Sequence, residues 1–116
     1  MMFLGKEVRV FLKGQAKESY TLLQLRKERD KEARSILTSF DRVKEILKKN
    51  PQYGDPIPKL LIPRSMAQIG IQNLYRVELS NYWRMMYTLE GNKVEIFVIV
   101  LTITDHKEYN KLFGYK

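Results

Sequence analysis

The apolar residues of this chain change their spacing once, near Asn50, and the change falls on a segment that holds all four prolines. Before it, spacings of three and four point to helices; after it, alternation points to strands. Helices followed by a run of strands make an α+β domain rather than an alternating α/β one.

Residues 7–12 precede the helices and alternate charged and apolar side chains. Val8, Val10 and Leu12 share one face, which suits a half-buried edge strand ending at Gly14. From Gln15 the spacing turns helical, with Ala16, Tyr20 and Leu23 in register, flanked by Leu22 and Leu25, and it fades into the charged residues 26–32. Ala33, Ile36, Leu37, Phe40, Val43 and Leu47 then form a second apolar stripe. Lys48, Lys49, Asn50 and Pro51 supply a cationic last turn and a stop. The two helices are expected to pair as an antiparallel hairpin. Residues 50–64 carry Pro51, Pro56, Pro58 and Pro63 and read as an ordered loop crossing from the helical layer to the sheet, presenting Lys59 and Arg64.

A chain of 116 residues fits one domain with one core. Its 44% hydrophobic and 29% charged residues are those of a folded chain, not a disordered one. The apolar runs are too short for a signal peptide or a membrane span, so an intracellular protein with no membrane is expected. The absence of cysteine excludes disulfides and thiol nucleophiles, and a single histidine, His106, excludes a multi-histidine metal site. Neither a metal nor another cofactor is expected. The net charge of +8 favours a polyanionic partner, nucleic acid or an acidic protein. Residues 13–49 hold eleven Lys and Arg against six Asp and Glu, five of the eight net charges, and a solvated helix exterior accounts for most of these.

Three strands are expected at 74–79, 82–89 and 94–103 in an antiparallel meander, with Gly91 and Asn92 turning the last two. The third is apolar on both faces, with Val94, Ile96, Val98 and Val100 on one and Phe97, Ile99 and Leu101 on the other, and so should be central, beside the N-terminal strand. Trp83, Met85, Tyr87 and Leu89 are the apolar parity of the middle strand and should meet the helices. Tyr75, Val77 and Leu79 match them, which puts Arg76 and Arg84 together on the opposite face. Keeping the faces unmixed requires an odd loop, three residues, between these strands. Two registers satisfy that: Glu78 opposite Arg84, which permits an ion pair, or Arg76 opposite Arg84, which needs an anion between like charges. Either is compatible with the sequence.

A short helix from Asp105 would set His106 and Tyr109 on one face at the end of the central strand. An imidazole, a phenol and two guanidinium groups near one sheet end could supply proton transfer and phosphate stabilisation. No carboxylate pair suggests metal-dependent phosphodiester hydrolysis, and no serine triad or glycine-rich phosphate loop is present. A metal-free ribonuclease is chemically possible because RNA carries its own nucleophile, the 2′-hydroxyl.

The stretch LYRVELSNYWRMMYTLEGNKVEIFVIVLTITDHKEYNKLFGYK resembles the RelE/ParE superfamily of toxins from toxin–antitoxin pairs. The shared pattern is an arginine-bearing strand (Arg76), an aromatic and arginine opening a Tyr-ended strand (Trp83 and Arg84 to Tyr87), and a His with a nearby Tyr (His106, Tyr109). The resemblance implies a RelE-like fold and a cytoplasmic toxin neutralised by a cognate antitoxin protein. In the RelE branch it implies cleavage of mRNA in the ribosome: Arg84 would stabilise the transition-state phosphate, Arg76 would position it, and His106 or Tyr109 would move protons or stack on a base. Lys59 and Arg64 would hold the RNA backbone. The ParE branch inhibits DNA gyrase without nuclease chemistry, so a non-catalytic toxin or an inactive RNA-binding relative is the alternative expectation.

Overall fold

A computed structural model of the chain describes residues 2–114. Its elements are β1 (Met2–Phe3), β2 (Lys6–Leu12), α1 (Gln15–Arg26), α2 (Lys31–Lys49), β3 (Asp55–Pro56), α3 (Arg64–Ala67), β4 (Tyr75–Glu78), β5 (Arg84–Gly91), β6 (Glu95–Thr104) and α4 (His106–Leu112). Single 3₁₀ turns lie at Lys59–Leu61 and Ser80–Tyr82. The fold is α+β, and the strands form one mixed sheet in the order β1-β2-β6-β5-β4-β3.

The helix boundaries follow from local chemistry. The Asp30 carboxylate accepts from the amides of Glu32 (2.9 Å) and Ala33 (3.2 Å) and also pairs with Arg26 at 2.6 Å, joining the end of α1 to the start of α2. Hydrogen bonds from Arg26 and from these amides hold its pKa below the usual carboxylate range. All six residues of the α2 stripe are buried, and with Ala16 and Leu23 of α1 they pack on Val77, Met85, Tyr87, Val98 and Val100 of the sheet.

Strand β6 is central, with β2 on one side and β5 on the other. Its pairing with β2 is parallel, Val8 opposite Ile96 and Val10 opposite Val98. Parallel neighbours need a long crossover, and the helical hairpin begins that connection and covers one face of the sheet. The ladder with β5 is antiparallel and slips between Met86 and Tyr87, which face Thr102 and Val100. Leu101 is therefore an extra residue in β6, and beyond it the strict alternation expected along 94–103 reverses. Val98, Val100 and Ile103 all sit in the helix-side core, while Leu101 packs on the other side. Past the end of β2, Gln15 extends the ladder: its amide accepts from the Ile103 N–H at 2.9 Å and donates to the Ile103 carbonyl at 3.1 Å.

Two further expectations are corrected. The proline-rich segment is more than a crossing loop: its Asp55–Pro56 adds a sixth strand beside β4, and its α3 packs on the sheet face away from the helices. That face is not left to solvent. Ile62, Met66, Leu74, Met86 and Tyr109 make a second small core beneath α4 and residues 57–71. The segment is tied down by Tyr87, whose buried hydroxyl donates to the Pro51 carbonyl (2.7 Å) and accepts from the Gly54 N–H (2.9 Å). A Cβ at Gly54 would stand 2.9 Å from that hydroxyl, which is why a glycine is needed there. In addition, the turn after β5 spans three residues, 92–94, rather than a tight pair at Gly91 and Asn92; the Asn92 side chain accepts from the amides of Val94 and Glu95.

Candidate anion-binding site

The loop between β4 and β5 has the three residues that parity demanded, Ser80, Asn81 and Tyr82, closed by a 2.7 Å hydrogen bond from the Leu79 amide to the Trp83 carbonyl. Asn81 and Tyr82 take left-handed φ values of 59° and 62°. The register is Glu78 opposite Arg84 and Arg76 opposite Met86. Arg76 and Arg84 are thus diagonal neighbours on the face away from the helices, roughly 7–8 Å apart at the backbone. Like charges are not set directly against each other.

The ion pair that this register permits does not form: among the described residues no carboxylate lies within ion-pair distance of Arg84. Its guanidinium instead lies 4.7 Å from the centroid of the Tyr109 ring, a cation–π contact. Its buried Nε has no hydrogen-bond partner among the described residues. Tyr109 is brought there by α4, which Asp105 caps by accepting from the Glu108 amide at 2.9 Å. The same phenol acts on Arg76: its hydroxyl raises the Arg76 pKa above the ordinary value, burial opposes this, and Asp55 and Glu78 add to the rise. Arg76 also meets Asp55 at 3.6 Å, a partner supplied by β3, but that carboxylate is mostly exposed and the pair is weak.

Of the residues singled out in the sequence, Arg76, Arg84 and Tyr109 come together. His106 does not join them. It is exposed on the first turn of α4, with its ring edge-on to Tyr82 at 6.5 Å. The three-residue spacing placed His106 and Tyr109 on one face, yet Tyr109 is 6% exposed against the sheet while His106 faces solvent. Lys59 and Arg64 are exposed on the proline-rich segment, apart from the arginine pair.

Two residues were missed by sequence reasoning. Asp55 reaches Arg76 only through a strand too short to show a pattern. Tyr82, 79% exposed beside His106, was legible only as part of a strand; the three-residue loop was the signal that it stands outside.

Chemically, the arrangement is a guanidinium pair on an aromatic support, with one cation lacking a counter-charge among the described residues. It can hold an anion by charge and by donated hydrogen bonds. Among the described residues no cluster of His, Cys, Asp and Glu could hold a metal ion, and no helix is long and apolar enough to cross a membrane. No protein-family model, curated protein or solved structure matches this chain.

Proposed function

We propose that this chain is a toxin of the RelE/ParE kind, with a RelE-like arrangement of strand, helical hairpin and meander, acting in the cytoplasm as a metal-independent endoribonuclease on mRNA in the ribosome and neutralised by a cognate antitoxin. The observation that carries the reading is Arg84: a buried-edged guanidinium, braced by Tyr109, whose Nε has no hydrogen-bond partner and which has no carboxylate partner among the described residues. An unsatisfied donor on a cation costs stability unless an anion completes it, and the phosphodiester of RNA is such an anion. In the reaction the 2′-hydroxyl would attack the adjacent phosphorus and lose its proton, the 5′-oxygen would leave and gain one, and a 2′,3′-cyclic phosphate would result. Arg84 would stabilise the pentacoordinate phosphorane, Arg76 would position the phosphate, and the exposed His106 would carry a proton. Lys59 and Arg64 would hold flanking phosphates.

One observation favours the non-catalytic alternative, a gyrase-inhibiting toxin or an inactive RNA binder. Tyr109 is buried on Arg84, and among the described residues no carboxylate or imidazole contacts Arg84, the one nearby carboxylate, Asp55, lying against Arg76. Induced expression followed by mapping of mRNA 5′ ends separates the two. The nuclease reading expects growth arrest with new 5′ ends within translated messages, abolished in Arg84→Ala. Arrest with intact mRNA and reduced gyrase activity would reject it.

A further inference from the structure

A second site lies on the same side of the sheet, beyond α4 from Arg76. It is a cleft of about 480 Å³ between α3, α4 and the start of α1, floored by β5 and β6. That volume falls within the range of small-molecule sites. Arg76, Arg84 and Tyr109 do not line it.

Its walls are mainly apolar, from Met66, Ile69, Ile71, Ile99, Leu101 and Leu112. Its floor contains Thr102 and Thr104, 6% and 5% exposed, whose buried hydroxyls have no hydrogen-bond partner among the described residues. Thr88, the third floor threonine, is different: its hydroxyl donates to the Asn73 carbonyl at 2.7 Å. Thr102 and Thr104 point to one face, two residues and so about 6.6 Å apart along the strand. A threonine χ1 step exchanges hydroxyl and methyl between staggered wells, so either hydroxyl can turn toward the cleft. Valine would fill the same space without the orphaned group, and no described residue uses these hydroxyls.

The rim sets the charge of what can enter. Glu90 and Glu108 share the lining with Lys13, and Lys111 pairs with Glu108 at 3.4 Å, so this rim carries no positive surplus on a chain of net charge +8. An anionic ligand finds no net attracting charge here, whereas it does at the arginines.

We propose that the cleft between α3 and α4 binds a neutral or monocationic, mainly apolar small molecule whose polar atoms satisfy the hydroxyls of Thr102 and Thr104. This site is independent of the reading of the arginines.

Three probes that share the indole ring and differ in charge test it: indole, tryptamine and indole-3-acetate, titrated into the full chain and followed by NMR. Indole and tryptamine should shift the methyl resonances of Thr102, Thr104 and Met66 saturably, with indole-3-acetate at least fivefold weaker. Thr102→Val/Thr104→Val should melt no lower than wild type yet bind about tenfold more weakly, the fold-change of one hydrogen bond's worth of free energy. Ile69→Trp at the exposed rim should block the cleft without touching the floor, which keeps the test decisive should the valine variant misfold. No saturable shift with indole or tryptamine, preference for the anionic probe, or undiminished binding in a folded valine variant or the rim variant would overturn the proposal.

Discussion

Tyr87 shows how one side chain can hold a whole segment in place. Its hydroxyl both donates to the Pro51 carbonyl and accepts from the Gly54 amide, so Tyr87→Phe removes two partners and strands two backbone groups. Urea denaturation should show a loss of about 1–3 kcal/mol. Burial, opposed by the Gly54 hydrogen bond, pushes its pKa from 10.0 up to about 12. A folded pKa above the unfolded one means that the fold favours the neutral phenol. This contribution is complete below pH 10 and disappears as pH rises through 12. Stability measured across that window should therefore fall more steeply for wild type than for Tyr87→Phe. Arg84 is the residue on which the proposed function turns. Arg84→Lys keeps the charge but not the planar fork, and should lose most RNA affinity or cleavage while melting close to wild type; unchanged activity in that variant would remove Arg84 from the site.

At the scale of elements, the edge of β6 is completed by a side chain. Gln15 makes two hydrogen bonds to the Ile103 backbone just beyond the bulge at Leu101, where β2 no longer supplies partners. Gln15→Ala should cost about 1–2 kcal/mol in chemical denaturation, and hydrogen exchange should quicken at the Ile103 amide. The proline-rich segment depends on the close approach of Gly54 to Tyr87 and to the Arg76 carbonyl, at 2.9 and 3.1 Å from an added Cβ. Gly54→Ala should destabilise the protein by about 1–3 kcal/mol as the segment is pushed off the sheet, visible as a lower urea midpoint.

For the molecule as a whole, charge and chemistry are separated in space. The helical stretch carries most of the net charge, whereas the arginine pair sits on the opposite face of the sheet. If the arginines hold RNA, Arg76→Ala/Arg84→Ala should flatten the salt dependence of single-stranded RNA binding by about 1–1.4 in log–log slope, and neutralising Lys44 and Lys49 on α2 should leave it nearly unchanged. The fold class, both helices and the central strand were legible because periodicity reports which face is buried, and the pattern of Ala33 to Leu47 or of β6 is long enough to show it. The parity that put Arg76 and Arg84 on one face, and the three-residue loop that keeps it, were fixed by the same alternation. The rest depended on partners distant in sequence. Whether Glu78 or Arg76 opposes Arg84 is a choice between registers with the same parity, decided by how β4 docks. The parallel pairing of β2, the bulge at Leu101, the Asp55 strand and the burial of Tyr109 on Arg84 arise only once the sheet closes between two layers. Local pattern determines which face a residue occupies; which group meets it there is decided by tertiary packing.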